Sequence, residues 1–138
     1  MNSSANIPEV LDDEWLARFI FSRRHFRAPD LTVKPEAFSP PLNLEFSVNR
    51  HLELTEEELW TIGRAVGTTR PDANLYGRAD LQATTPRKIG LHVKSAPMDE
   101  NSGHAILIGW PSDKPSQMII QQQLAQFAKY LPSPDLGS

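Results

Sequence analysis

The stretch Asp12-Asp13-Glu14-Trp15-Leu16-Ala17-Arg18-Phe19-Ile20-Phe21 decides the fold class. Leu16, Phe19 and Ile20 have helical spacing behind an acidic N-cap. The same residues also make an aromatic-rich strand, with Trp15, Ala17, Phe19 and Phe21 on one face. The strand reading is preferred, because residues 22–29 carry no continuing helical stripe. Arg18 interrupts this run, the longest apolar one in the chain, and a bilayer span needs ~20 apolar residues. No membrane-crossing segment is therefore expected.

Downstream, Leu44-Glu45-Phe46-Ser47-Val48-Asn49 alternates, placing Leu44, Phe46 and Val48 inward and Glu45, Ser47 and Asn49 outward on a half-buried strand. Thr55 and Glu58 then form a capping box, and Leu54 and Leu59 occupy the positions of a hydrophobic staple. Residues 56–66 are predicted helical, with Leu59, Ile62 and Val66 as the buried stripe and Gly67 as a left-handed C-cap. A loop over 68–74 contains Pro71. The segment 75–79 is ambiguous: Asp80 caps a short helix that Pro86 breaks, or Thr85 and Pro86 start a turn that Gly90 closes. Residues 91–95 alternate as a strand, and 104–110 reads as a central strand, apolar on both faces. Asp113 and Pro115 open the last helix, with Ile120, Leu124, Phe127 and Leu131 on one face and Gln121, Gln122, Gln126 and Lys129 toward water.

Short strands with two good helices give an α+β domain: a small mixed or antiparallel sheet, a central helix and a packed C-terminal helix. The domain is expected over 12–131, with a frayed N-terminus (1–11) and a flexible C-terminal tail (132–138).

The 138 residues carry 14 Lys and Arg against 17 Asp and Glu, a formal charge of −3, and no cysteine. The missing thiols exclude disulfides, iron–sulfur clusters and thiolate chemistry. An isoelectric point near 5.8 argues against a generic nucleic-acid coater. The first six residues lack a basic n-region and an apolar core, so the expected location is the cytoplasm.

His25, His51, His92 and His104 show no metal-ligand spacing, and no glycine-rich phosphate loop is present, so neither metal nor cofactor is expected. Arg18 and His25 match the loose Arg-x(4–6)-His spacing of HEPN-type ribonucleases, but those resemble helical bundles, and a surface loop is the better reading. Arg23 and Arg24, with His25, Phe26 and Arg27, could grip phosphates and stack a base; in an acidic chain a solvated loop is preferred, which leaves nucleic acid weakly supported as a partner. Arg50 could hold an anion and His51 act as acid or base, or both could belong to a turn before the helix. In Tyr76-Gly77-Arg78-Ala79-Asp80, Arg78 and Asp80 pair or Asp80 caps a turn. His104 does not fit the repeats of two-histidine phosphodiesterases and is read as anchoring a turn through a loop carbonyl.

Arg18-Phe19-Ile20, Val33-Lys34-Pro35-x-x-Phe38, Ser47-Val48-Asn49-Arg50-His51, Leu75 to Asp80, and His104-Ala105-x-x-x-Gly109-Trp110-Pro111 together resemble a small bacterial family of hypothetical proteins. No activity is assigned to that family, so no catalytic residue is carried over. The resemblance implies a bacterial, cytosolic, single-domain protein, one component of a multi-gene system such as a phage-defence or mobile-element operon.

Two functions compete. The first is a non-catalytic accessory component that binds a protein partner from the same operon, with Arg18, Arg23, Arg24, Arg50, Tyr76 and Arg78 as candidate binding residues. The alternative is a small phosphate- or nucleotide-handling enzyme, with His51, His104, Arg50 and Arg78 as candidate catalytic residues and Arg18 beside them. A version similar to ADP-ribosyltransferases, using Arg18 and Ser47, lacks a recognisable catalytic Glu. The enzyme requires Arg18, Arg50, His51, Arg78 and His104 to converge. A DNA-reading helix is not expected, since residues 56–58 are three glutamates.

Overall fold

In the computed structural model, which describes residues 8–70 and 74–136, Trp15–Ile20 is a strand (β1) in the interior of a six-stranded sheet. Pro71 lies outside the described residues. After β1 come a short ribbon of Phe26–Arg27 (β2) and Thr32–Val33 (β3), then Phe46–Arg50 (β4). The helix Glu56–Gly67 (α1), the strand Gly77–Gln82 (β5) and the short helix Thr84–Lys88 (α2) follow. His92–Ser95 (β6), His104–Ile108 (β7), the helix Lys114–Phe127 (α3) and Lys129–Pro132 (β8) complete the order. The sheet runs β6-β7-β4-β1-β5-β8, and each neighbouring pair is antiparallel. The fold is α+β, and of the two sheet types expected it is the antiparallel one. Among the described residues no helix is long and apolar enough to cross a membrane.

β1 is covered on both faces. Leu16 and Ile20 join Phe46, Val48, Ala79, Leu81, Ala105 and Leu107 in the main core, closed by Phe38, Trp110 and Leu124. Ala17 and Phe19 point the other way, onto Leu59 of α1, with Leu54, Ile62 and Leu75 around them. The second cluster is small, so α1 leans on its own start signals. Thr55 Oγ1 accepts from the Glu58 amide at 3.1 Å, and Glu58 Oε1 accepts from the Thr55 amide at 2.8 Å. Gly63 lets α1 sit close: a Cβ there would lie 2.7 Å from two Phe19 ring carbons.

Several expectations are corrected. The helix runs through Gly67 and ends at Thr68, a right-handed cap. Gly67 packs on Phe21, where the helix can continue for one more residue. Trp60 and Gly63 join Leu59 on the buried side of α1, while Ile62 and Val66 are half-buried. Leu44 does not enter β4; it takes a positive φ of 59° in the preceding turn. Residues 77–82 form a strand, not a capped helix start, because β1 and β8 pair on either side of it.

In α3 the buried side carries Gln117, Gln121, Leu124 and Ala125, while Phe127 is exposed and Leu131 lies in β8. The glutamines can be buried because their amides are bonded. Gln117 donates to Pro111 O at 2.8 Å, and Gln121 to Ser39 Oγ at 2.9 Å and Pro35 O at 3.2 Å.

The described parts of the expected tails are tied down. Val10 is in the core, and Pro8 O accepts from Arg50 Nη1 at 2.8 Å. Pro132 pairs with Gly77, Ser133 is buried, and Asp135 receives Arg64 at 2.9 and 3.0 Å.

Candidate functional site

The β1–β4 ladder pairs Leu16 with Arg50 and Ala17 with Asn49. Past that point Arg18 substitutes for the ladder: its Nη1 donates to Ser47 O at 2.9 Å, and its guanidinium lies 4.1 Å from the Phe46 ring centroid. No carboxylate among the described residues lies within 4 Å of it. Burial, aided by the nearby Arg70 cation, pushes its pKa down to about 10, so it remains charged at neutral pH. His25 is lowered by burial first and then by Arg18 and Arg70, against the opposite pull of Glu36.

Arg18 lines a cleft of about 700 Å³ between α1 and the β4–β7 pair. Ser47, Asn49 and His104 supply its sheet side, Ile62 and Arg70 lie on the α1 side, and Asp99 and Glu100 come from the loop before β7. Strand alternation puts Ser47 and Asn49 on one face. The β4–β7 register places His104 opposite Asn49, hence diagonal to Ser47. His104 Nδ1 is 2.8 Å from Ala96 O, and Nε2 is 3.1 Å from Ser47 Oγ. A carbonyl oxygen only accepts, so Nδ1 carries the proton, and Nε2 of the neutral ring offers its lone pair to the Ser47 hydroxyl. Asn49 and Asn101 exchange amide bonds at 3.1 and 2.7 Å and tie the loop before β7 to the cleft.

The other candidates lie elsewhere. Arg50 is fully buried and makes a bidentate pair with Glu14, both bonds 2.8 Å, plus bonds to Pro8 O and Ser95 Oγ. Arg78 is also buried, held by Asp80 at 3.0 and 3.1 Å and by Glu56 at 3.0 Å, with its guanidinium 4.7 Å from the Trp60 ring centroid. Burial works to lower the Arg78 pKa, and the Glu56 and Asp80 bonds outweigh it, leaving a net rise. His51 Nε2 is 3.2 Å from Asp80 Oδ1, a close contact without hydrogen-bond geometry. Arg23 bonds the Tyr76 hydroxyl at 3.3 Å, and Arg24 is exposed in the turn Arg23–His25.

Arg18 and His104 thus come together through Ser47, and His51 and Arg78 through Asp80, while Arg50 stands apart with Glu14. The five-residue constellation does not assemble. Among the described residues no three His, Asp or Glu side chains gather to hold a metal ion. His104 does bond a loop carbonyl, as its position suggested, but it also reaches Ser47, a contact that sequence reasoning missed. Alternation marks Ser47 and Asn49 as neighbours; bringing in His104 needs the β4–β7 register.

An antiparallel α+β domain with a half-enclosed cleft, lined by both apolar and polar side chains, is what fold and geometry define. No protein-family model, curated protein or solved structure matches the chain.

Proposed function

We propose that the protein is a binding component of a bacterial multi-gene system, of the phage-defence or mobile-element kind, and that it engages a protein partner through the cleft between α1 and the β4–β7 pair. The cleft receives an anionic group, the carboxylate of an acidic partner segment. One contrast carries this reading. Of the three arginines in the six-stranded sheet, Arg50 and Arg78 each hold a carboxylate of this chain, and Arg18, on the cleft, holds none among the described residues. A half-buried guanidinium gains most from a carboxylate that displaces water around it. The alternative of a phosphate-handling enzyme needed five side chains in one place, and they occupy three.

The test is co-purification of the tagged protein with the products of neighbouring genes, wild type against Arg18→Gln. A partner retained by the wild type and lost with Arg18→Gln is the expected result. A partner held equally by both would move the interface away from the cleft, and a chain that engages none of them would remove the binding reading.

A further inference from the structure

Ser47 and His104 go beyond binding. We propose that Ser47 is a nucleophile activated by His104, and that the cleft cleaves small carboxylic esters whose acyl part carries a second, anionic group. Ser47 is solvent-exposed on the cleft, and its Oγ is 3.1 Å from His104 Nε2. That distance is within the range for direct proton transfer. The 2.8 Å bond from Nδ1 to Ala96 O sets the tautomer and orients the ring, the positioning part of what a carboxylate does in acid-bearing triads. The Arg18 guanidinium lines the same cleft and donates to the Ser47 carbonyl at 2.9 Å. Its remaining N–H donors have no hydrogen-bond acceptor among the described residues. The preference for an anionic acyl part rests on the proposed role of Arg18; the nucleophile does not.

The step balances without a redox partner. Ser47 Oγ bonds to the acyl carbon as its proton passes to Nε2. The carbon–oxygen bond to the leaving alkoxide then breaks, and Nε2 returns the proton to it, releasing an alcohol. A water molecule attacks the acyl-serine, gives one proton to Nε2 and frees the carboxylic acid, and that proton goes back to Ser47. The sum is ester plus water to acid plus alcohol.

The experiment incubates the full chain with p-nitrophenyl acetate, which is neutral, and mono-p-nitrophenyl glutarate, which is anionic. Nitrophenolate release is followed, and acid-quenched protein is mapped by mass spectrometry. The expected result is an acyl adduct on Ser47, absent in Ser47→Ala, with release slowed on the order of 100-fold or more by His104→Gln. Arg18→Gln is expected to slow the glutarate ester by a larger factor than the acetate ester. Ser47 is exposed, so Ser47→Ala retains the fold, checked by circular dichroism, and the test stands even if His104→Gln does not fold. No adduct on Ser47, or release unchanged in Ser47→Ala, overturns the proposal. Acylation of Ser47 at equal rates from both esters, indifferent to Arg18→Gln, keeps the nucleophile and removes the anion preference together with the proposed role of Arg18.

Discussion

Glu14→Ala tests the charge pair on which the N-terminal segment hangs. The Arg50 side chain is 1% exposed and that of Glu14 17%, so the substitution leaves a cation in the core with only Pro8 O and Ser95 Oγ for company. Removing one partner of a buried pair costs about 3–5 kcal/mol. Water reaches the Glu14 side of this pair, which favours the lower figure. The Leu11 amide also loses the acceptor it holds at 2.7 Å, roughly 1 kcal/mol more. A net loss of about 4 kcal/mol lowers Tm by roughly 16 °C in a domain of this size. Glu14→Ala/Arg50→Met removes both charges and recovers most of the loss, because an apolar side chain needs no counter-ion there.

Thermal unfolding followed by circular dichroism, with and without 0.5 M added salt, measures both; the shift persists in salt because the pair is shielded from solvent ions. The pH dependence has a definite sign. Burial works to raise the Glu14 pKa, and the bonds from Arg50 and the Leu11 amide outweigh it, leaving a carboxyl below its ordinary value. Its contribution is therefore present above the unfolded pKa, about 4.3, and lost as pH falls through the folded one. A Tm change under about 3 °C for Glu14→Ala, or a double variant no more stable than the single one, would refute this account.

Further outcomes concern local packing and titration. Gly77→Ala places a Cβ 2.5 Å from Leu131 O and 2.6 Å from Tyr130 Oη, and the backbone oxygen cannot turn away. Urea unfolding should show a loss of about 2 kcal/mol or more. Thr55→Ala removes the capping oxygen for the Glu58 amide and should cost about 1 kcal/mol in the same assay. The two tyrosines should ionise in separate steps in a spectrophotometric base titration. Bonds from Arg23 and Asn74 lower Tyr76, whereas burial raises Tyr130 to about 12. Tyr76→Phe deletes the early step, and a single step for both would contradict the burial of Tyr130. Because the Tyr130 pKa is raised on folding, its contribution is full below the unfolded value near 10 and is lost as pH climbs toward 12.

Elements whose determinants are close along the chain were legible. The start of α1 could be read from Thr55, Glu58, Leu54 and Leu59, because a capping box and staple act within one turn. β4 could be read from the alternation of Phe46, Ser47, Val48 and Asn49, although it starts two residues later than Leu44 suggested. β1 is both readings at once: its apolar residues fit either period, and only the missing stripe after Phe21 tipped it toward strand.

What stayed hidden depends on partners distant in the chain. β5 carries Arg78 and Asp80 at buried positions, which stays ambiguous between a capped helix and a turn until Glu56 and Trp60 arrive from α1. Gln121 is polar by composition and buried in fact, because its acceptors come from Pro35 and Ser39. The same cause separates the candidate site from the sequence. Chain order and alternation determined by themselves the strand-and-helix character, the absence of thiol chemistry and the shared face of Ser47 and Asn49. Only the tertiary pairing decided which arginines found carboxylates, and only the β4–β7 register set His104 beside Ser47, since hydrogen bonds act across ångströms and the sequence orders residues along a line.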